Sequence, residues 1–234
     1  MRFAAANLLR GGPDLVTGET TAPHRKLTDA VRWAVWAEQA GFDAVGIGER
    51  HAAPFLSSAP TVLLAHLAAV TTRARLLSTV TVLPLLDPVR VAAHYRERLA
   101  ARGHDPASGV VGVGCGGLYV APRSQDAVEA FRPFYRAFLQ TPGARHNAPE
   151  FTDVEEAIAR GPLLVGSPAQ VQEKLHRWDA EFGGVDVLQV GVEGTGVGEA
   201  AQKASLELFL TEVAPALRAG LPSRVWATPE AVAA

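Results

Sequence analysis

The sequence predicts an α/β fold with a parallel sheet, because strand-like and helix-like segments alternate along its 234 residues. This alternation is typical of βαβ units, in which a helix connects two parallel strands. An eightfold barrel averages about 250 residues, and the long helices and loops of this chain leave too little sequence for eight units. The strand-like runs lie at 2–9, 43–49, 76–84, 110–120 and 185–192, with a sixth at 163–166.

The composition is that of a globular protein, with 48% apolar and 20% charged residues. Its 22 basic residues are balanced by 24 acidic ones, and the net charge of −2 disfavours a nucleic acid or an anionic membrane as partner. The single cysteine, Cys115, cannot form an internal disulfide, and no cysteine or histidine cluster has metal-ligand spacing. The apolar run at the start is too short for a signal sequence or a membrane span. We therefore expect a cytoplasmic protein without a metal site.

Three helices are predicted in the first half of the chain. In 29–40, alanine and tryptophan recur at helical spacing, and Gly41 is a candidate C-cap. The segment 60–72 starts with a proline and is apolar nearly all round, which predicts a helix buried on most of its faces. After the β-branched strand 76–84, an Asp-Pro pair predicts the start of a helix that runs to about Arg102.

In the second half, Ser124 is predicted to cap a helix rich in aromatic residues, and Pro133 is expected to kink that helix or restart its turn. The last helix is predicted over 199–218. We expect one domain over 1–219, followed by a loose tail over 220–234 that is rich in proline and alanine.

Two further helix starts follow from capping-box spacing, in which a Ser or Thr is followed three residues later by Glu or Gln. Thr152 and Glu155 form one such pair and predict a short helix. Ser167 and Gln170 form the other, with a proline at the first helical position, and predict a helix to about Glu181.

The glycine-rich run 112–117 fits the G-x-G-x-x-G pattern of dinucleotide-binding loops. That loop requires a helix directly after its third glycine, because the N-terminal amides of the helix face the pyrophosphate. Here Leu118-Tyr119-Val120 continues as a strand. We therefore interpret the run as a flexible strand that allows a helix or ligand to approach closely.

The charged tripeptide Glu49-Arg50-His51 lies where the strand 43–49 ends, and core packing does not require it there. In a barrel, side chains just past the C-terminal ends of the strands converge on the active site. The His51 imidazole suits proton transfer near neutral pH, Glu49 can orient it, and Arg50 can hold an anionic group. The alternative is a solvated loop cluster without a catalytic role.

Two threonines, Thr79 and Thr81, lie on one face of the strand 76–84 and allow two interpretations. Threonines at such spacing most often serve cross-strand packing. Inside a barrel, the same face is directed at a ligand. The residues alone favour neither.

Four parts of the sequence carry a family resemblance. Gly41-Phe42-Asp43-Ala44-Val45 leads to Glu49-Arg50-His51, and Ser58-Ala59-Pro60 opens the apolar helix. The segment 78–92 reads Ser-Thr-Val-Thr-Val-Leu-Pro-Leu-Leu-Asp-Pro-Val-Arg-Val-Ala, and the C-terminal part contains Gly161 to Pro168 and Glu212 to Pro215. In combination they resemble the bacterial-luciferase-like flavin monooxygenases over most of residues 1 to 218.

This resemblance implies a TIM-barrel-like (β/α) fold and an oxidoreductase of monooxygenase type that uses reduced flavin and oxygen on a small organic substrate. The implied cofactor is FMN, with a deazaflavin as the alternative, and a flavin reductase is a possible partner. By position, Thr79 and Val80 match the residues that lie against the flavin ring, next to Thr81. His51 matches the second histidine of a Glu-His-His motif, beside Glu49.

The sequence also departs from the family. Arg50 stands where the luciferase α-subunit has the first histidine of that motif. In the luciferase, this histidine is the residue with the catalytic role. The helix after Pro88 leads directly into Arg102-Gly103-His104-Asp105-Pro106, which resembles a much later connection in family members. About three βα units, which form part of the flavin phosphate groove in the family, are therefore missing relative to the eightfold barrel. Because both flanking segments are helical, we expect the junction to fuse two helices without a break.

An incomplete barrel leaves unpaired strand edges, which proteins normally cover, so we expect a homodimer. Two alternatives to a working enzyme follow from the missing units. One is a non-catalytic flavin-binding protein, and the other is a degenerate barrel that acts as an interaction module.

Overall fold

The computed structural model of the protein describes residues 1–50, 54–79, 88–147, 149–191, 196–223 and 225. Its strands are β1 (Arg2–Asn7), β2 (Ala44–Ile47), β3 (Arg75–Ser78), β4 (Gly112–Gly114), β5 (Gly117–Val120), β6 (Leu163–Gly166) and β7 (Val187–Gly191). Five of them form one parallel sheet in the order β3-β2-β1-β7-β4, and β5 pairs with β6 in a second sheet. Each of the six predicted strand regions thus contains a strand. Within the described residues the larger sheet does not close on itself, and the fold is an incomplete (β/α) barrel.

The predicted strand 110–120 is divided because the chain changes neighbours in its middle. The Cys115 amide still donates to the Gln189 carbonyl of β7, at 3.1 Å. The next amide, that of Gly116, donates instead to the Pro162 carbonyl beside β6, at 2.9 Å. As predicted, a strand and not a helix follows the glycine-rich run, so the run lacks the geometry of a dinucleotide-binding loop.

The helices surround these sheets. They are α1 (Pro23–Ala40), α2 (Pro60–Val70), α3 (Pro88–Ala101), α4 (Ser124–Leu139), α5 (Pro142–Asn147), α6 (Val154–Ala159), α7 (Pro168–Phe182), α8 (Glu199–Leu208) and α9 (Ala214–Gly220). A short 3-10 turn covers Pro106–Ser108, and a wide π turn over Phe209–Val213 joins α8 to α9. The wide turn precedes Pro215, which has no amide proton to donate to the preceding turn. The predicted last helix is therefore confirmed, with this interruption.

Several predicted helix ends are confirmed. Gly41 ends α1 in the left-handed conformation, with φ of 106°, and donates its amide to the last turn. The Ser167 side chain accepts from the Gln170 amide, and the Gln170 side chain accepts from the Ser167 amide, which completes the predicted capping box of α7.

Other predicted helix features were wrong. Ser124 is the first residue of α4 and not its cap, because Arg123 occupies the N-cap position. The helix continues through Pro133 to Leu139, so its turn does not restart there, and the predicted kink stays a prediction. The cap of α6 is one residue later than predicted, since Asp153 Oδ1 accepts from the Glu156 amide at 3.0 Å.

The prediction that the second helix is buried on most faces was also wrong. Only Pro60 and Leu67 of α2 are buried, and Val62 is 71% exposed. The helix packs on β3 and against α1. Because β3 is the edge strand of the sheet, α2 has a helix neighbour on one side only within the described part of the chain.

The core lies between the larger sheet and its helices. Phe3 of β1 meets Phe209 edge to face, with ring centroids 5.3 Å apart, and both side chains are fully buried. A second cluster of buried residues surrounds Phe131 between α4, α6 and the smaller sheet. There the Tyr135 hydroxyl donates to the Phe151 carbonyl at 2.7 Å.

Helix α3 joins the first three βα units to the units in the C-terminal half of the chain. The sequence predicts that two helices are fused at this junction without a break. Helix α3 runs without a break from Pro88 to Ala101. Halfway along it, the Arg96 guanidinium donates to the Phe182 carbonyl and to the Gly184 carbonyl, the latter at 3.1 Å, at the end of α7. The helix that follows β3 is thus attached to α7.

Candidate functional site

The candidate site lies where β1, β2 and β3 end side by side. Asn7, Ile47 and Ser78 are partners in the strand register, so the three strands finish at the same level. Glu49 and Arg50 follow β2 at this edge, and Thr79 follows β3. The predicted site residues His51, Val80 and Thr81 lie outside the described residues.

Thr79 lies directly against β2. Its amide donates to the Ile47 carbonyl at 2.9 Å, although β3 itself ends one residue earlier. Its hydroxyl oxygen is buried and has no hydrogen-bond partner among the described residues. A buried hydroxyl without a partner is unfavourable, and an approaching ligand can satisfy it.

Two glycines allow this arrangement. A Cβ atom at Gly46 would lie 2.5 Å from Thr79 Cγ2. One at Gly48 would collide with the Leu8 side chain and lie 3.2 Å from the Thr79 carbonyl oxygen. The chain at the end of β2 therefore has to be free of side chains where it passes Leu8 and Thr79.

Glu49 and Arg50 are exposed at this edge. The Arg50 guanidinium carbon lies 5.0 Å from the centroid of the Phe55 ring, which places a cation over an aromatic face. The Arg50 amide donates to the Ser57 carbonyl at 3.0 Å.

Two loops, residues 8–11 and residues 54–57, meet at the ends of β1 and β2. We call these two loops together the clasp. The Leu56 amide donates to the Leu9 carbonyl at 2.9 Å, and the Gly11 amide donates to the Pro54 carbonyl at 2.7 Å. The buried Ser57 hydroxyl donates to the Gly48 carbonyl. The sequence analysis did not single out the clasp.

The clasp contains a strained residue. Leu9 has a φ of 51° and is the only non-glycine residue with positive φ among the described ones. Its amide donates to Asn7 Oδ1 at 2.7 Å. Such a conformation costs about 1–3 kcal/mol and occurs most often at functional sites. The signal in the sequence is an asparagine at a strand end, since this side chain often accepts from the amide two residues later.

Outside the clasp, a cleft of about 520 Å³ opens between α1 and α2. Its walls are mostly apolar and include Leu27, Val31, Val62 and Leu63, with His66 as a polar group. This volume lies within the range of small-molecule sites.

Other chemistry is limited in the described part of the chain. No three His, Cys, Asp or Glu side chains gather there as a metal site would require. Burial raises the pKa of the Cys115 thiol to about 11, so this cysteine is not an activated nucleophile. None of the helices in the described ranges has the length and apolar character of a membrane span.

Comparison with known proteins decides the family. The sequence model of the luciferase-like monooxygenase family matches the chain in two pieces, over residues 1–94 and 91–185. The protein belongs to the luciferase-like monooxygenase family. The two pieces meet within α3, at the helix where the sequence predicts the fusion. A search of curated protein sequences found no match.

Solved structures of monooxygenases share the fold of this family member. The monooxygenase RslO1 from Streptomyces bottropensis is 13% identical with a TM-score of 0.59, over 92% of this chain and 99% of that one. The oxygenating constituent of 3,6-diketocamphane monooxygenase from the CAM plasmid of Pseudomonas putida, solved with FMN, is 17% identical with a TM-score of 0.58, over 92% and 98%. The long-chain alkane monooxygenase LadA is 12% identical with a TM-score of 0.63, over 96% and 92%. Identities this low show the fold alone.

Proposed function

We propose that this protein is a flavin-dependent oxidoreductase that uses reduced FMN and oxygen to oxidise a small organic substrate. Family membership supports an activity of the monooxygenase type. The single observation that carries the proposal is the buried Thr79 hydroxyl at the strand ends, which has no hydrogen-bond partner among the described residues. A polar atom at the edge of the flavin ring would supply that partner.

In this proposal Thr79, with Val80 and Thr81, holds the flavin ring. Bound reduced FMN supplies the electrons that activate oxygen. His51 holds or relays a proton, Glu49 orients its imidazole, and Arg50 holds an anionic group. The exposed position of the Arg50 guanidinium over the Phe55 ring supports this last role, because it leaves the cation accessible at the strand ends.

A titration with flavins tests the proposal. Oxidised FMN, reduced FMN and a deazaflavin are added in parallel, and binding is followed by fluorescence and by the shift in Tm. A ligand at 100 times its Kd raises the stability by about 2.7 kcal/mol, which such a shift detects. Selective binding of reduced FMN is the expected result, and binding of the deazaflavin alone would replace the cofactor. Absence of binding by all three would leave the interaction module as the remaining function.

A second candidate, a non-catalytic flavin-binding protein, is favoured by the incomplete barrel, whose five-stranded sheet does not close within the described residues. Oxygen consumption separates the two. We expect an organic substrate to accelerate consumption by the reduced-FMN complex, and we expect His51→Ala to abolish that acceleration while it retains flavin binding. Equal activity of this variant would remove His51 from the mechanism.

The proposed partners are a small organic substrate, a flavin reductase that supplies reduced FMN, and a second copy of this chain, in the cytoplasm. The edge strand β3 has a strand neighbour on one side only among the described residues, and this edge supports the homodimer. The amides of Arg75 and Thr79 point toward β2. Because alternate residues of a strand face the same neighbour, the amides of Leu76 and Ser78 point to the other side of β3, where the described residues place no strand. Sedimentation is expected to show a dimer that Ser78→Pro dissociates.

A further inference from the structure

We propose that Ser57 is a positioning residue that fixes the Gly48–Arg50 segment at the strand ends, and that the affinity for FMN depends on its hydroxyl. This inference rests on the proposed function and assigns it a residue that neither the sequence patterns nor the family comparison points to. Ser57 belongs to the clasp and is 4% exposed.

The geometry of Ser57 fixes the chain on both sides of Glu49. Its hydroxyl donates to the carbonyl of Gly48, the residue before Glu49. Its carbonyl accepts from the amide of Arg50, the residue after Glu49, at 3.0 Å. A single buried residue therefore determines where the backbone of Glu49 lies, although the Glu49 side chain itself is exposed.

The same bond reaches the proposed flavin contact through Gly48. Gly48 passes so close to Thr79 that an added Cβ would lie 3.2 Å from the Thr79 carbonyl oxygen. A shift of Gly48 toward β3 therefore displaces Thr79, whose hydroxyl is the unpartnered group at this edge. The Ser57 hydroxyl bonds the Gly48 carbonyl and so attaches Gly48 to the clasp.

The strain in the clasp supports a role beyond simple packing. The Leu56 amide, next to Ser57, donates to the carbonyl of Leu9, whose backbone is left-handed. A bulky residue keeps such a conformation only where its surroundings determine it, and most often at functional sites. Ser57 also lies 3.5 Å from the Leu8 carbonyl, so its hydroxyl sits between the ends of both strands.

The test compares two buried serines. Ser57→Ala removes the hydroxyl at the clasp, and Ser205→Ala removes one that accepts from the Val120 amide at 2.6 Å, on α8 and away from the clasp. For each variant, Tm is measured first, and then, in the absence of oxygen, the Kd for reduced FMN and the absorption spectrum of the bound reduced flavin. A purely structural role for Ser57 predicts that both variants lower Tm and neither changes the spectrum.

We expect Ser57→Ala to raise the Kd for FMN by about five- to tenfold, the equivalent of one hydrogen bond, and to shift the absorption band. Ser205→Ala is expected to lower Tm and to retain the wild-type Kd and spectrum. Equal Kd and spectrum in Ser57→Ala and the wild type would overturn this inference alone. Absence of FMN binding in the wild type would overturn the proposed function and the inference with it.

A third variant decides the question if Ser57→Ala does not fold. Ser57→Cys keeps a side chain of similar shape with a weaker donor, so a Kd above the wild-type value is expected. A wild-type Kd and spectrum in Ser57→Cys would contradict the positioning role.

Discussion

Thr79 fills the space that a side chain at Gly46 would need, with Thr79 Cγ2 2.5 Å from the position of such a Cβ atom. Gly46 lies on β2, and Thr79 directly follows the neighbouring parallel strand β3, at the end of the sheet that carries the candidate site. Glycine at position 46 is therefore a condition for the position of Thr79.

The first prediction concerns this contact. Gly46→Ala forces Thr79 away from β2, so we expect a loss of about 1–3 kcal/mol in the free energy of unfolding and weaker FMN binding. Urea denaturation and flavin titration measure the two effects. Gly114→Ala is the matched control, because a Cβ at Gly114 meets nothing within 4 Å. Wild-type stability and binding in Gly46→Ala would show that Thr79 moves freely and is not held by this packing.

The sequence predicts the strands only where a local pattern of residues defines them. Alternation of strands and helices identifies βαβ units, and all six strand regions follow from apolar runs. The division at Cys115 does not, because it depends on which strand accepts the hydrogen bonds of Cys115 and Gly116. Likewise, the apolar composition of α2 indicates burial, whereas Val62 lines the open cleft between α1 and α2 and is exposed.

The candidate site shows the same limit. Glu49, Arg50 and Thr79 are recognisable because they stand at the ends of strands and match a family motif. Ser57 is not, since its hydroxyl acts on the Gly48 carbonyl, which only the fold brings near. Asn7 leaves a local signal, because its side chain accepts from the amide two residues later. Ser57 also adjoins the serine that carries part of the resemblance, so nothing in the sequence separates the two.

The second prediction concerns the opposite end of the sheet. Burial tends to raise the pKa of Asp43, but the Phe3 amide and the Arg218 and Arg2 guanidiniums outweigh it, and the pKa is lowered from its ordinary 3.8. The carboxylate accepts from Arg2 at 3.0 Å and from Arg218 at 2.9 Å. We therefore expect Asp43→Asn to cost about 1–3 kcal/mol at pH 7.

The pH dependence of that loss follows from the lowered pKa. A carboxylate with a folded pKa below its unfolded one stabilises the fold above pH 3.8, and this contribution disappears as the pH falls through the folded pKa. The gap between wild type and Asp43→Asn in urea denaturation should thus close in strong acid. Asp126→Asn, which removes an exposed ion pair with Arg123, serves as the control. A gap that stays constant from pH 7 into strong acid would assign the effect to packing.

The third prediction concerns the buried Lys174 of α7, which is 7% exposed. Its ammonium donates to the carbonyls of Ile158, Gly161 and Leu163, the last at 2.9 Å, and so joins α7 to β6 and the end of α6. Lys174→Met leaves these carbonyls without a donor, and we expect a loss of about 2–4 kcal/mol. Arg123→Met, on the surface, is expected to leave the unfolding midpoint unchanged.

Lys174 also gives the stability a dependence on alkaline pH. Burial, with a smaller contribution from Arg177, lowers its pKa from 10.5 to about 8. The unfolded chain then binds more protons than the folded one between these values, so this group makes the fold more stable as the pH rises from 8 to 10.5. The difference in unfolding free energy between wild type and Lys174→Met should grow over that range. A difference that stays constant over that range and shrinks only above pH 10.5 would mean that the three carbonyls hold the ammonium in its charged form.

The last prediction gives the Thr79 hydroxyl two effects of opposite sign. Because its oxygen is buried without a partner in the described part of the chain, Thr79→Val removes an unsatisfied polar group and keeps the shape of the side chain. We expect the variant without flavin to be more stable by about 1 kcal/mol. If the hydroxyl serves the flavin, the same variant binds FMN more weakly than the wild type. Thr71→Val is the control, since the Thr71 hydroxyl donates to the Leu67 carbonyl at 2.7 Å, and its loss should lower stability without an effect on FMN. Higher stability together with unchanged FMN affinity in Thr79→Val would show that the unpartnered hydroxyl is not a flavin contact, and the proposed site would then rest on family membership alone.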